Sequence, residues 1–183
     1  MLFFPTQKQD AEAREESSGS AFNSKTILKS GTGQYVGNLA EIIFRDYLNE
    51  LMLEHDYTAK TSYHYDFKVG DATLDIKAKQ RTVKCQRDYD THVALYQKKS
   101  PCHYYVFSSV LIPKGETKVK SVEFMGWHRK KDYWDECEIK LKGQNSNGLN
   151  EREDVGKMKY HQMLPMSDLF LGLETHLYEK AFI

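Results

Sequence analysis

Polar and apolar residues alternate along two short segments, 64–69 and 72–78, which are separated only by Gly70 and Asp71. A period of two over such lengths marks a half-buried strand, and a two-residue link led by glycine suits a type II′ turn. The segments are therefore expected to form a β-hairpin in which paired positions sum to a constant. Val69 then faces Ala72, Phe67 faces Leu74, Asp66 faces Asp75 and Tyr65 faces Ile76. Tyr65, Phe67, Leu74, Ile76 and Ala78 share an apolar face, so a slip of one residue would push both aspartates into the core.

Elsewhere the period changes. Val36, Leu39, Ala40, Ile43, Tyr47 and Leu51 recur at spacings of three and four, which predicts a helix over residues 32–54 packed on the sheet. Residues 90–98 suit a short helix, and 103–112 have the near-continuous apolarity of a buried strand. Residues 122–127 read as another strand, 143–150 as a polar loop, and 159–163 as a further strand. A closing helix is expected after Pro165, capped by Ser167, with Leu169, Phe170, Leu173 and Leu177 on one face. This order predicts an α/β or α+β fold, a central mixed β-sheet flanked by helices. Residues 7–31, rich in Ser, Glu and Gly, read as part of a mobile N-terminal arm (1–31) ahead of a single domain spanning 32–183.

With 183 residues, 40% of them hydrophobic and 28% charged, the chain suits one soluble domain, and no apolar run approaches the length of a membrane span. The start lacks the apolar stretch of a secretory signal, so a cytoplasmic location is expected. Cys85, Cys102 and Cys137 are odd in number and widely spaced, which argues for reduced thiols over a disulfide framework or a zinc site. Net charge is zero, yet Lys77, Lys79, Arg81, Lys84, Arg87, Lys98 and Lys99 form a basic stripe that begins where the paired aspartates end.

The chemistry centres on that junction. Opposed residues in a hairpin hold their Cβ atoms about 5 Å apart, and like charges there repel unless something offsets them. A divalent cation would do so. Lys77 lies two residues beyond Asp75 on the same face, and Glu41 sits on the predicted helix where an apolar residue would be preferred. A buried carboxylate is costly. The plain alternatives are a surface hairpin with an Asp–Lys ion pair, and a Glu41 that tilts to solvent or pairs with Arg45. Arg81, Lys84 and Arg87 with Tyr89, and the run from His128 to Lys131, suit phosphate contact and base stacking or, equally, solvated loops. His92, His103 and His161 lack ligand spacing and read as structural. Gly31, Gly33 and Gly37 read as a flexible approach to the helix, since no P-loop lysine follows.

Tyr65-Asp66, then Leu74-Asp75-Ile76-Lys77, with Glu41 upstream, resembles the PD-(D/E)XK nuclease superfamily. The basic stretch, the aromatic strand near 103–107 and Gly126-Trp127 resemble its phage-type members more loosely. Tyr65 stands where the name-giving proline would be, and Asp75 where glutamate is frequent. The resemblance implies a restriction-endonuclease-like core and a Mg²⁺- or Mn²⁺-dependent deoxyribonuclease. It implies Glu41, Asp66 and Asp75 as metal ligands, Lys77 as the catalytic lysine, with Lys79 as its potential substitute, and Lys79, Arg81, Lys84 and Arg87 on DNA. Hard oxygen donors suit such a cation, and a lysine beside it can orient water or stabilise the charge developing on phosphate. DNA is the expected partner, with a homodimer and the endo or exo mode left open. The competing expectation is a nucleic-acid-binding module without catalysis on the same fold.

Overall fold

The computed structural model describes residues 1–19, 32–58, 64–146, 148–171 and 173. The chain runs β1 (Leu2–Phe3), α1 (Gln7–Gly19), α2 (Thr32–Glu50), β2 (Asp56–Tyr57), β3 (Phe67–Val69), β4 (Ala72–Arg81) and β5 (Val93–Ala94). It continues through β6 (Tyr104–Leu111), β7 (Ser121–Arg129), α3 (Lys130–Glu136), β8 (Glu138–Lys140), β9 (Asn145–Ser146), β10 (Leu149–Asn150) and β11 (Val155–Lys157). The fold is α+β. Its main sheet has the order β1-β7-β6-β4-β3-β2. The pair β4 and β6 is parallel and its other pairs are antiparallel.

The hairpin turns as its glycine dictates. Gly70 has φ 57°, and Asp71 is not among the described residues of positive φ, which is the type II′ pattern. Pairs Phe67↔Leu74 and Val69↔Ala72 form in the expected register. The pairing stops there, however, so Asp66 and Asp75 are not ladder partners.

Helix α2 packs on β4 and against α1. Its buried side chains include the predicted Val36, Leu39, Ala40 and Ile43, and extend to Ile42, Phe44 and Leu48. Being covered by both the sheet and α1 widens the buried face beyond a single stripe. Phe44 packs edge-on to Phe67, with ring centroids 5.3 Å apart, and tilted against Phe124 at 5.4 Å. The helix ends at Glu50, earlier than predicted, in a Schellman cap: Leu53 N–H donates to Leu48 O (3.1 Å) and Met52 N–H to Asn49 O (2.9 Å). Leu51 therefore lies past the helix and is exposed.

Residues 7–19, expected to be a mobile arm, form α1. Thr6 opens it with a capping box, its Oγ1 accepting from Gln9 N–H (3.2 Å) while Gln9 Oε1 accepts from Thr6 N–H (2.9 Å). Polar pairs fasten it to α2: Arg45 Nη1 to Glu12 Oε1 at 2.6 Å, and Gln9 Nε2 to Asp46 Oδ2 at 2.8 Å. Residues 20–31, and with them Gly31, lie outside the described set. Gly33 and Gly37 belong to α2, not to a flexible approach.

The far face of the sheet carries a second core containing Tyr105, Phe107, Tyr133, Trp134, Met158 and Tyr160. A small sheet, β5-β11-β8, adjoins it. Several elements on this side differ from those expected. The strand lies at Val155–Lys157, while Tyr160–Gln162 is a 3-10 turn; Pro165 begins a second 3-10 turn at Met166–Asp168, so Ser167 sits inside it and does not cap the final helix. The helix expected over 90–98 is a 3-10 turn at Leu95–Lys99, and the loop over 143–150 contains the short pair β9 and β10. Leu177 lies outside the described residues. The close approach of Met163 and Leu164 to β7 requires Gly126: a Cβ there would meet Met163 Cβ at 2.6 Å and Leu164 O at 2.7 Å.

Candidate active site

Strand β4 is paired with β6 over residues 74–81, but with β3 only over 72–74. Beyond Leu74 no described strand pairs with its other edge, and Asp66 sits at the start of that opening. Asp66 N–H donates to Leu74 O (2.8 Å), and its C=O accepts from Thr58 N–H (2.8 Å). Its carboxylate Oδ2 accepts from Ile76 N–H at 2.6 Å. A side-chain oxygen thus stands where the next strand carbonyl would be, which satisfies a buried amide that the departing strand leaves behind.

Alternation along β4 places Asp75 and Lys77 on one face. Lys77 Nζ donates to Asp75 Oδ2 at 2.6 Å, and lies 5.2 Å from the ring centroid of Tyr105, the β6 residue in register with Asp75. Both side chains of the pair are largely shielded from solvent. Glu41 reaches the same region from α2, where Oε2 accepts from the Tyr57 hydroxyl at 3.3 Å. It does not pair with Arg45, whose guanidinium is taken by Glu12 and Asp46. Gly37, one turn earlier, leaves space over it: a Cβ there would lie 4.0 Å from Glu41 Oε1.

These groups perturb one another strongly. Burial pushes the Glu41 carboxyl up to about 7, and the charge of Asp75 adds to the effect, as does that of Glu16. Burial raises Asp66 well above the ordinary carboxylate range, with Glu41 and Asp75 contributing further and the Ile76 N–H opposing. Burial alone would lower the Lys77 ammonium, but the charge and hydrogen bond of Asp75, helped by Asp66, raise it above its usual value. The Tyr57 hydroxyl is raised by burial and then by Glu41, Glu16 and Asp66. The structure therefore brings Glu41, Asp66, Asp75 and Lys77 into one electrostatic unit.

Sequence reasoning missed Glu16 and Tyr57. The Thr6-x-x-Gln9 capping box and the Asp10–Arg14 spacing of a helical ion pair were the signals for α1, and hence for Glu16. Tyr57 belongs to a two-residue strand with no periodicity to mark it.

The donor set is chemically suited to a hard divalent cation: three carboxylates, two of which, Glu41 and Asp66, are held away from ionisation by burial and then by neighbouring negative charge. Their present hydrogen bonds occupy one oxygen each of Glu41, Asp66 and Asp75. Among the described residues no group of three or more His, Cys, Asp or Glu side chains is disposed to hold a metal ion as it stands.

The basic residues divide into two groups. Lys79 and Arg81 continue the face of Lys77 and line a cavity, whereas Lys84 and Arg87 stay on an exposed loop. His103 is structural, its Nδ1 accepting from Thr73 N–H at 3.1 Å. His92 Nδ1 lies 3.7 Å from Glu151, and burial, followed by Lys79, pushes its ring down to about 4. His161 is exposed, and Cys85, Cys102 and Cys137 are free. No helix among the described residues is long and apolar enough to cross a membrane.

A scan against protein-family models finds no match, and searches of curated proteins and of solved structures find no similar chain.

Proposed function

We propose that the chain is a metal-dependent nuclease of the PD-(D/E)XK kind that hydrolyses DNA phosphodiester bonds. One observation carries this reading: at the edge of β4 beyond Leu74, Glu41, Asp66 and Asp75 repel one another in a buried setting while Lys77 lies among them. Such a concentration of negative charge is unfavourable in the bare protein and becomes favourable around a cation.

Glu41, Asp66 and Asp75 would hold Mg²⁺ or Mn²⁺, which when bound supplies polarisation of a phosphate oxygen and a more acidic water. The roles of the side chains follow from their protonation. Lys77, with its pKa raised, stays an ammonium through neutral pH, so it serves as a charge and hydrogen-bond donor toward a phosphate oxygen and not as a base. Loading of the site requires Asp66 and Glu41 to give up their protons, so affinity for the cation rises with pH, for Glu41 through about 7. Tyr57 fixes the Glu41 carboxylate by its hydroxyl.

A second reading, a non-catalytic nucleic-acid-binding module, is favoured by the protein donors that already occupy an oxygen of Asp66 and of Asp75. Incubation of linear, circular and branched DNA with Mg²⁺ or Mn²⁺ separates the two. Cleavage by the wild type that Asp75→Asn and Lys77→Met each abolish supports the nuclease. Binding without cleavage supports the module, and cleavage unaffected by either substitution rejects the site.

A further inference from the structure

The face of β4 that carries Asp75 and Lys77 continues through Lys79 and Arg81 into a cavity of about 350 Å³, whose other wall includes Lys157, Lys159 and Tyr89. Four cationic side chains meet there. Two have acidic partners: Lys159 Nζ lies 2.7 Å from Asp90 Oδ1, and Lys157 pairs with Glu151. The other two are less fully satisfied. Arg81 Nη2 donates to Asp90 O at 2.9 Å and its guanidinium packs 4.8 Å from the centre of the Tyr89 ring, but its buried Nε has no hydrogen-bond partner among the described residues. Lys79 enters no ion pair with any described residue. Burial, then the charges of Arg81 and Lys157, push its ammonium down to about 8, against the opposing pull of Asp90 and Glu151. Asp88 is exposed at the rim.

Buried charged donors without partners are costly, and where a native protein keeps them an anionic ligand is a physical explanation. The position of the cavity indicates which anion. Two residues along a strand advance by roughly 6.6 Å, so Lys79 stands one pleat beyond Lys77, on the scale that separates neighbouring phosphates of a nucleic-acid strand. A planar guanidinium held by stacking beside an ammonium is a donor set for phosphate oxygens.

We infer that this cavity is a phosphate subsite, in which Lys79 and Arg81, backed by Lys157, hold the phosphate next along the strand from the one beside Asp75 and Lys77. The placement along a strand rests on the nuclease reading; the anion site itself does not. The subsite fixes the register of the strand against the acidic cluster, and it accepts either an internal phosphate diester or a terminal monoester.

The test measures binding of a short thymidylate strand, with and without a 5′-phosphate, to the full chain with Ca²⁺ in place of Mg²⁺, across a salt series. Lys79→Gln and Arg81→Gln should each weaken binding about tenfold and flatten the plot of log affinity against log salt by about 0.7 per lost phosphate contact. Lys79→Arg should restore binding, while Lys8→Gln, the same charge change at an exposed position of α1, should leave it unaltered. A deficit confined to the 5′-phosphorylated strand assigns the subsite to a terminal monoester, and a deficit on both strands assigns it to an internal diester.

Equal binding by Lys79→Gln, Arg81→Gln and Lys8→Gln would overturn the subsite, and would leave the nuclease reading standing if Mg²⁺-dependent cleavage persists. Titration with inorganic phosphate, followed through the Lys79 side-chain NMR signal, provides the second arm. Phosphate binding that Arg81→Gln abolishes, in a chain that binds neither strand, would overturn the placement on a nucleic acid together with the nuclease reading.

Discussion

Replacing Glu41 by glutamine removes a charge that burial disfavours, and the consequence has a definite sign. In the unfolded chain Glu41 titrates near 4.5, whereas in the folded protein burial and Asp75 hold it at about 7. Below about 4.5 the carboxyl is protonated in both states and its contribution is constant. Between there and about 7 the unfolded chain releases the proton and the folded chain retains it, so stability falls as pH rises and the loss is complete above that window. The separation corresponds to about 3 kcal/mol. Glu41→Gln also removes one of the charges that raises Asp66, which adds in the same direction. Urea unfolding in EDTA at pH 5 and pH 8 measures the difference. The variant should gain on the wild type by about 3 kcal/mol on going to the higher pH. Saturating Mg²⁺ should then return stability to the wild type, about 2.7 kcal/mol at a hundred times its dissociation constant, and much less to the variant. A stability difference that is the same at both pH values would refute the reasoning, because it would mean that Glu41 ionises as freely folded as unfolded.

Other substitutions test the scaffold. Met52 holds φ 54° at the end of α2 with its side chain almost wholly exposed, so Met52→Gly should stabilise by about 1 kcal/mol in the same unfolding assay. Gly126→Ala drives a methyl group into Leu164 O, a backbone atom, and should cost about 2 kcal/mol or more, seen as a lowered melting temperature. Arg45→Met cuts the tie between α2 and Glu12, so amide hydrogen exchange in α1 should accelerate while that in β6 stays slow. Asp75→Asn removes the carboxylate charge beside the shielded Lys77 ammonium, so the single variant should lose more stability than Asp75→Asn combined with Lys77→Met.

How much of this was legible follows from which physical signal each part leaves. The hairpin, its turn and the pairs at Phe67↔Leu74 and Val69↔Ala72 are specified by local alternation and one glycine, and they form as expected. The parting of the strands at Asp66 is not local. It depends on a carboxylate replacing a carbonyl at Ile76 N–H, a choice that period-two patterning does not encode. Helix α1 escaped because it is docked largely by ion pairs and capped by Thr6 and Gln9, which leaves little hydrophobic rhythm to detect. Its misreading as an arm concealed Glu16. Glu41 was legible because it is polar where its helix buries a face, a conflict between local pattern and global fold, whereas Asp75 and Lys77 were legible from their shared polar face on an alternating strand and their spacing. The role of Lys157 and Lys159 was hidden because β11 and the turn after it meet β4's charged face only in three dimensions.

A single cation is expected to resolve the repulsion among Glu41, Asp66 and Asp75. Crystals soaked in Mn²⁺ and measured at a wavelength where manganese scatters anomalously test it directly. One strong peak is expected at the edge of β4 beyond Leu74, bound by carboxylate oxygens of Asp66 and Asp75 with Glu41 directly or through water, and Asp75 drawn from Lys77. An absent peak, or one elsewhere, with Asp75 still closed on Lys77 and Asp66 on Ile76, would contradict it.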